Sequence, residues 1–271
     1  ERYVTVMNSF GRFRRENELL WEEVDSDLMV EYETYLKSRG VCPNTSSYYM
    51  RGLRAIYNRA VEKGKTVQRE PFKYVYTGID KTIKRAVPLK VIRQIRDLDL
   101  TLFPTMDFAR DIFMFSFYTR GMSFIDMAYL KKKDLQGGTL SYRRQKTGQQ
   151  LFVKWEKPMQ EIVDKYNTNG TPYLLPIIRD MNADIRRQYK NAAHLVNDKL
   201  KKLGEKLGLT VPLTSYVTRH GWASIARSRN IPLAIISEAM GHDSEKTTRI
   251  YLASLDTTSV DKANSRILKA L

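Results

Sequence analysis

Apolar residues recur along most of this chain at intervals of three and four, the period of a helix with one face against a core. Tyr3, Met7, Phe10 and Phe13 predict a first helix. Leu28, Tyr32, Tyr35 and Leu36 predict a second, with Ser26 placed to cap its start and Gly40 to end it. Asn44 or Thr45 suits the cap of a third, whose inward face is Tyr49, Leu53, Ile56, Tyr57 and Ala60 and whose end is Gly64. The opposite face of that helix carries Ser47, Arg51, Arg54 and Asn58. Small polar and arginine side chains on one face are either solvated or laid against DNA phosphates, and spacing alone favours neither.

Further along, Pro88 opens a helix with Leu89, Ile92 and Ile95 inward; a proline in the first turn sacrifices no hydrogen bond. Residues 104–118 (PTMDFARDIFMFSFY) are strongly apolar and predict a fully buried helix. The period then changes. Gly137-Gly138 marks a turn, and Thr139 to Arg143 and Gln150 to Trp155 alternate as strands do. Gln145-Lys146-Thr147-Gly148-Gln149 separates them, so the segment reads as a β-hairpin with Lys146 near its tip. Helical spacing returns over 159–166, 181–206, 215–227, 232–240, 246–252 and 258–270. The expected fold class is mainly α, with a small antiparallel β-sheet on the edge of an α-rich second domain. The polar, basic stretch Gly78 to Val87 reads as a linker and puts the boundary near Lys84, giving domains 1–84 and 85–271.

Composition removes several classes of function. The 271 residues are 42% hydrophobic, enough for real cores and too many for a disordered tail. One cysteine, Cys42, rules out a disulfide framework or a thiolate zinc site, and three histidines leave little for a His-based metal site. No apolar run approaches the ~20 residues of a membrane span and no signal peptide is visible, so a soluble, cytoplasmic protein without a membrane partner is expected. Lys and Arg number 46 against 30 Asp and Glu, a net charge of +16, which calls for a polyanion partner, most simply nucleic acid. Residues 1–84 hold 15 basic against 12 acidic side chains and residues 85–271 hold 31 against 18. A phosphate-binding surface is therefore expected on the second domain, with Lys84 and Arg85 in the linker and Arg144 in the hairpin as further DNA contacts.

The chemistry is bounded in the same way. The chain has no glycine-rich phosphate loop, no HExxH, and no paired acidic motif of the kind that holds Mg²⁺. No metal and no cofactor is expected. A nucleic-acid enzyme built from these residues needs a side-chain nucleophile and cations to stabilise a five-coordinate phosphorus. Arginine suits the second task because its planar fork pairs two phosphate oxygens and stays charged.

One tract carries that combination. Tyr216-Val217-Thr218-Arg219-His220 is followed by Met240-Gly241-His242 and, nine residues after His242, by Tyr251. It resembles the C-terminal motif of the tyrosine recombinase (phage integrase) family. Lys146 sits where that family keeps its hairpin lysine, and Arg120, after the apolar helix, where its first arginine is expected. The resemblance spans nearly the whole chain and implies a SAM-like core-binding domain over 1–84 and a catalytic domain over 85–271. It implies Tyr251 as the nucleophile forming a 3′-phosphotyrosyl bond, Arg120 and Arg219 on the non-bridging oxygens, His242 hydrogen-bonded to the same phosphate, and Lys146 as general acid to the leaving 5′-oxygen. His220 and Asp126 would support the site.

Two departures from the family pattern stand out. Tyr216 occupies a position usually held by His, and its role stays open. The first-arginine motif, Arg-x-x-Glu/Asp-x-x-x-Leu, anchors here on Asp126 and Leu130 and so puts Ser123 where the arginine belongs. Arg120 lies three residues earlier; on a helix the two would share a face, letting Arg120 reach the phosphate from one turn upstream. The displaced pattern resembles integrases of Bacteroidetes conjugative and mobilizable elements. The partners implied are double-stranded DNA and a homotetramer on DNA, with a monomer allowed in free solution. The helix expected over 258–270 would dock on its own domain or a neighbouring protomer. The implied activity is site-specific recombination, for integration, excision or inversion. A type IB topoisomerase-like enzyme shares the nucleophile chemistry, and a non-catalytic DNA-binding protein on the same fold would not need Tyr251. The chain starts at Glu1 without Met, which leaves room upstream for the arm-binding domain such integrases often carry.

Overall fold

A computed structural model describes residues 2–15, 17–80, 86–242, 244–252 and 268. Lys84 and Arg85, nearly all of the helix expected over 258–270, and the side chains of Ile250 and Tyr251 lie outside the described residues. The chain divides into two compact units, Glu1–Thr82 and Ile83–Leu271.

The first unit packs α1 (Arg2–Arg14), α2 (Ser26–Ser38) and α3 (Pro43–Glu62) around Val6, Phe10, Met29, Tyr32, Met50 and Tyr57. Tyr3 and Met7, expected inward, are exposed, and Val6 and Ser9 take their place. The reason is non-local. A Cβ at Gly52 of α3 would lie 2.6 Å from Val6 Cγ2, so the glycine lets α1 approach through Val6. The Tyr32 hydroxyl donates to Ser9 Oγ at 2.8 Å from the same side. Ser26 is not the cap of α2: Asp25 accepts from Leu28 N at 2.9 Å, a bond worth about 1 kcal/mol. Nor do Asn44 and Thr45 cap α3, which starts at Pro43 after Cys42 with no side-chain cap.

The second unit runs α4 (Leu89–Arg96), α5 (Pro104–Tyr118), α6 (Phe124–Tyr129), β1 (Leu135–Gln136), β2 (Thr139–Arg143), β3 (Gln150–Lys154), α7 (Lys157–Asp164), α8 (Ile185–Lys206), α9 (Val217–Ser228), α10 (Leu233–Ala239) and α11 (Glu245–Leu252). Helix α5 is the central element. Its Ile112, Phe113 and Phe115 are wholly buried, and it packs on α4, α7, α8 and α9. Buried Asp111 on α5 accepts from Lys165 Nζ at 2.8 Å and the Tyr166 hydroxyl at 2.7 Å, tying α5 to the end of α7. The antiparallel sheet has order β1-β2-β3, with Leu140 opposite Val153 and Tyr142 opposite Leu151 on its buried face. Helix α8 begins four residues later than its apolar spacing suggests because Asp184 caps it, accepting from Arg187 N at 3.0 Å. A second small core of Ala223, Ile236, Met240 and Leu252 joins α9, α10 and α11. The molecule is thus mostly helical with a small three-stranded antiparallel sheet.

Candidate active site

Arg219, in the first turn of α9, is 4% exposed. Its Nη1 donates to the Gly121 carbonyl at 3.0 Å and its Nη2 to the Met240 carbonyl at 2.5 Å. Gly121 has φ 74°, and a Cβ there would lie 2.6 Å from Arg219 Cα; both the turn and the close approach require glycine. Arg120, just before it, has φ 63°. The chain therefore leaves α5 through a left-handed turn, and Ser123 begins afresh as the cap of α6. The expectation that Arg120 and Ser123 share a helical face fails for this reason.

Ser123 serves a carboxylate instead. Its hydroxyl donates to Asp126 Oδ2 at 2.5 Å. Asp126 is 4% exposed, accepts from the Gln145 backbone N–H at 2.8 Å and lies 3.8 Å from Arg144 Nε. Arg144, expected to reach DNA from the hairpin surface, points inward: it is 7% exposed and its Nη1 donates to the Gly241 carbonyl. Tyr142 and Arg144 are two residues apart and share the inner face of the hairpin, while exposed Arg143 faces out. Gly241 has φ 61°, and a Cβ there would lie 2.7 Å from Arg144 Cδ, so this glycine makes room for the arginine.

His242 follows directly. Its Nδ1 lies 2.7 Å from Thr248 Oγ1. Burial, then the charges of Arg219, Arg144 and Lys146, lower its pKa to about 4, so the imidazole is neutral at neutral pH. Three cations from two distant stretches of sequence thus bear on one ring, with Lys146 itself exposed near the hairpin tip. Buried Tyr142 reports the same convergence. Its phenol pKa is raised by burial and by Asp126 and moderated by Arg219, Arg144 and Arg120, so the hydroxyl stays protonated. Sequence reading passed over Tyr142; its signal was strand alternation in step with Arg144.

Helix α11 comes up to this cluster. Thr248 is wholly buried, and Leu252 is buried in the core that also holds Met240. Tyr251 lies on α11, three residues after Thr248 and one before Leu252. Tyr216, just before α9, is 54% exposed and meets the buried His220 ring edge-on at 4.9 Å between centroids. In the first unit, Ser47 is wholly buried and donates to the Gly78 carbonyl, so it offers no hydroxyl to DNA there; Arg51 is half-buried and Arg54 exposed.

Residues 103–258 match the phage integrase family, and residues 1–82 match the phage integrase SAM-like domain. The chain belongs to the phage integrase family. Among its curated relatives is tyrosine recombinase XerA of Pyrococcus furiosus, 26% identical over 178 residues, or 64% of this chain and 58% of the relative. The matched stretch thus spans under two thirds of that relative's length. In fold the chain is similar to the XerH site-specific recombinase bound to palindromic difH substrate in a post-cleavage complex, with a TM-score of 0.73 at 15% identity, covering 97% of this chain and 78% of that one. It is also similar to lambda integrase residues 75–356, a dimer bound to a COC′ core site, with a TM-score of 0.69 at 14% identity, covering 94% of this chain and 89% of that one.

Proposed function

We propose that this protein is a site-specific DNA recombinase that cleaves and rejoins duplex DNA through a 3′-phosphotyrosyl bond to Tyr251. The observation that carries the reading is the convergence of Arg219, Arg144 and Lys146 on a neutral His242, beside the helix that bears Tyr251. Two buried guanidiniums held by carbonyl oxygens are oriented without losing their charge, which suits the developing charge of a five-coordinate phosphorus. Arg144 takes the part of the arginine missing at Ser123, and Asp126 orients it; Arg120 adds charge from the edge of the site. Tyr251 Oη bonds to phosphorus as the bond to the 5′-oxygen breaks. The leaving oxygen takes a proton from the Lys146 ammonium, and the phenol gives up its own to solvent water. One phosphodiester replaces another, so rejoining needs no external energy source.

In this reading the helical first unit and the larger second unit both bind double-stranded DNA, and four protomers exchange strands in pairs to integrate, excise or invert a segment. The serine at the first-arginine position supports membership of the Bacteroidetes mobile-element branch. The test is an SDS-resistant adduct on nicked duplexes, from which the short cleaved strand diffuses away, formed without divalent metal. Wild type forms the adduct and Tyr251→Phe does not. Adduct formation by the Phe variant would overturn the assignment.

A further inference from the structure

The helix that carries Tyr251 also carries Thr248, whose side chain is wholly buried with its Oγ1 2.7 Å from His242 Nδ1. A buried hydroxyl left without an acceptor costs about 1–3 kcal/mol, so its proton has to be placed. Among the described residues, His242 Nδ1 is the acceptor within its reach. The imidazole is neutral near pH 7, held so by burial and the cations around it. A neutral imidazole has one N–H and one lone pair. When Thr248 donates to Nδ1, the ring proton belongs on Nε2.

We propose that Thr248 is the positioning residue for His242: its hydroxyl donates to Nδ1, fixes the Nε2–H tautomer, and so makes the ring a phosphate donor only while α11 is docked. The proposal rests on the recombinase reading of the site. The opposite tautomer would present an Nε2 lone pair to a phosphate oxygen, and the two would repel. The arginines are held differently. Arg219 is anchored on the carbonyls of Gly121 and Met240 and Arg144 on that of Gly241, none of which belongs to α11. Displacing α11 therefore removes the nucleophile and disarms His242 together, while both guanidiniums keep their places. DNA stays bound and the chemistry stops. A single side-chain bond thus ties the presence of the nucleophile's helix to the competence of the phosphate site.

The experiment uses the full chain with ¹⁵N-labelled histidine. It has three histidines, so the His242 signals are assigned by their loss in His242→Ala. Near neutral pH, wild type and Thr248→Ser should show a protonated Nε2 and an acceptor Nδ1 at His242, and Thr248→Val a tautomer mixture. In the nicked-duplex assay, Thr248→Val should slow adduct formation by the share of the Nε2–H tautomer lost, about two- to fivefold, with DNA binding unchanged, while Thr248→Ser stays near wild type. In a His242→Ala background, Thr248→Val should cost nothing further, because Thr248 acts only through the ring. A wild-type spectrum with the proton on Nδ1 overturns the proposal without any variant having to fold. So does a Val variant as fast as wild type, or losses from Val and His242→Ala that multiply. Absence of any wild-type adduct would count against the recombinase reading, whereas the spectrum would still decide the role of Thr248.

Discussion

The polar face of α3 and the cluster between α6, the hairpin, α9 and α11 hold the same kinds of residue and use them in opposite ways. On α3, Ser47 donates to the Gly78 carbonyl and Asn44 exchanges two hydrogen bonds with the Asp80 backbone, at 2.8 and 3.0 Å. Arg54 reaches Thr77 Oγ1 at 3.3 Å, and the Tyr76 hydroxyl closes on Asp80 at 2.6 Å. That face clasps the segment ending its own unit. In the second unit Arg144 and Arg219 turn inward, and both bear on the His242 ring. A local polar pattern shows where polar side chains lie, whereas an ordered set of distant residues supports a proposal of what they are for.

The widest separation between the two regions is expected at Lys146. Lys146→Ala should slow adduct formation by about 10²–10⁴. A substrate with sulfur in place of the leaving 5′-oxygen should recover most of the rate, because a thiolate leaves without a proton. Arg219→Ala should cost about 10²–10³ on either substrate, since no leaving group replaces a phosphate-holding guanidinium. On α3 the effect moves from rate to stability. Ser47→Ala removes a hydrogen bond to the carbonyl of exposed Gly78, which water can replace, and should cost about 0.5–1.5 kcal/mol in denaturant unfolding, with adduct formation on saturating DNA unchanged. Weakened DNA binding at unchanged stability would return Ser47 to the DNA surface. A further effect concerns pH. His242 titrates at about 4 in the folded chain against an ordinary 6.5, so the unfolded chain binds more protons between those values. Stability should fall as pH drops from about 6.5 towards about 4, and His242→Gln should flatten that part of the unfolding profile.

Elements long enough to show a period were legible in the sequence. The apolar run of α5 and the alternation of β2 and β3 announced themselves. The two residues of β1 and the six of α6 are too short to show a period. The inward face of α1 was misread because the Val6–Gly52 approach that selects it lies between helices distant in sequence. In the site, the order of Lys146, Arg219, His242 and Tyr251 was visible as a family pattern. The inward turn of Arg144 was not, because it depends on which hairpin face meets Asp126 and on room left by Gly241. Arg120 looked like the stand-in for the arginine absent at Ser123 only while the intervening residues were taken as helical; φ 63° and 74° at Arg120 and Gly121 remove that premise.

In the proposed mechanism Arg144, with Arg219 and His242, forms the phosphate site, and Arg120 stands at its edge. Adduct formation on saturating nicked duplex, measured side by side for Arg144→Ala and Arg120→Ala, tests this most directly. The expected loss is about 10²–10³ for Arg144→Ala and about tenfold or less for Arg120→Ala. The reverse order, or a wild-type rate without Arg144, would contradict it.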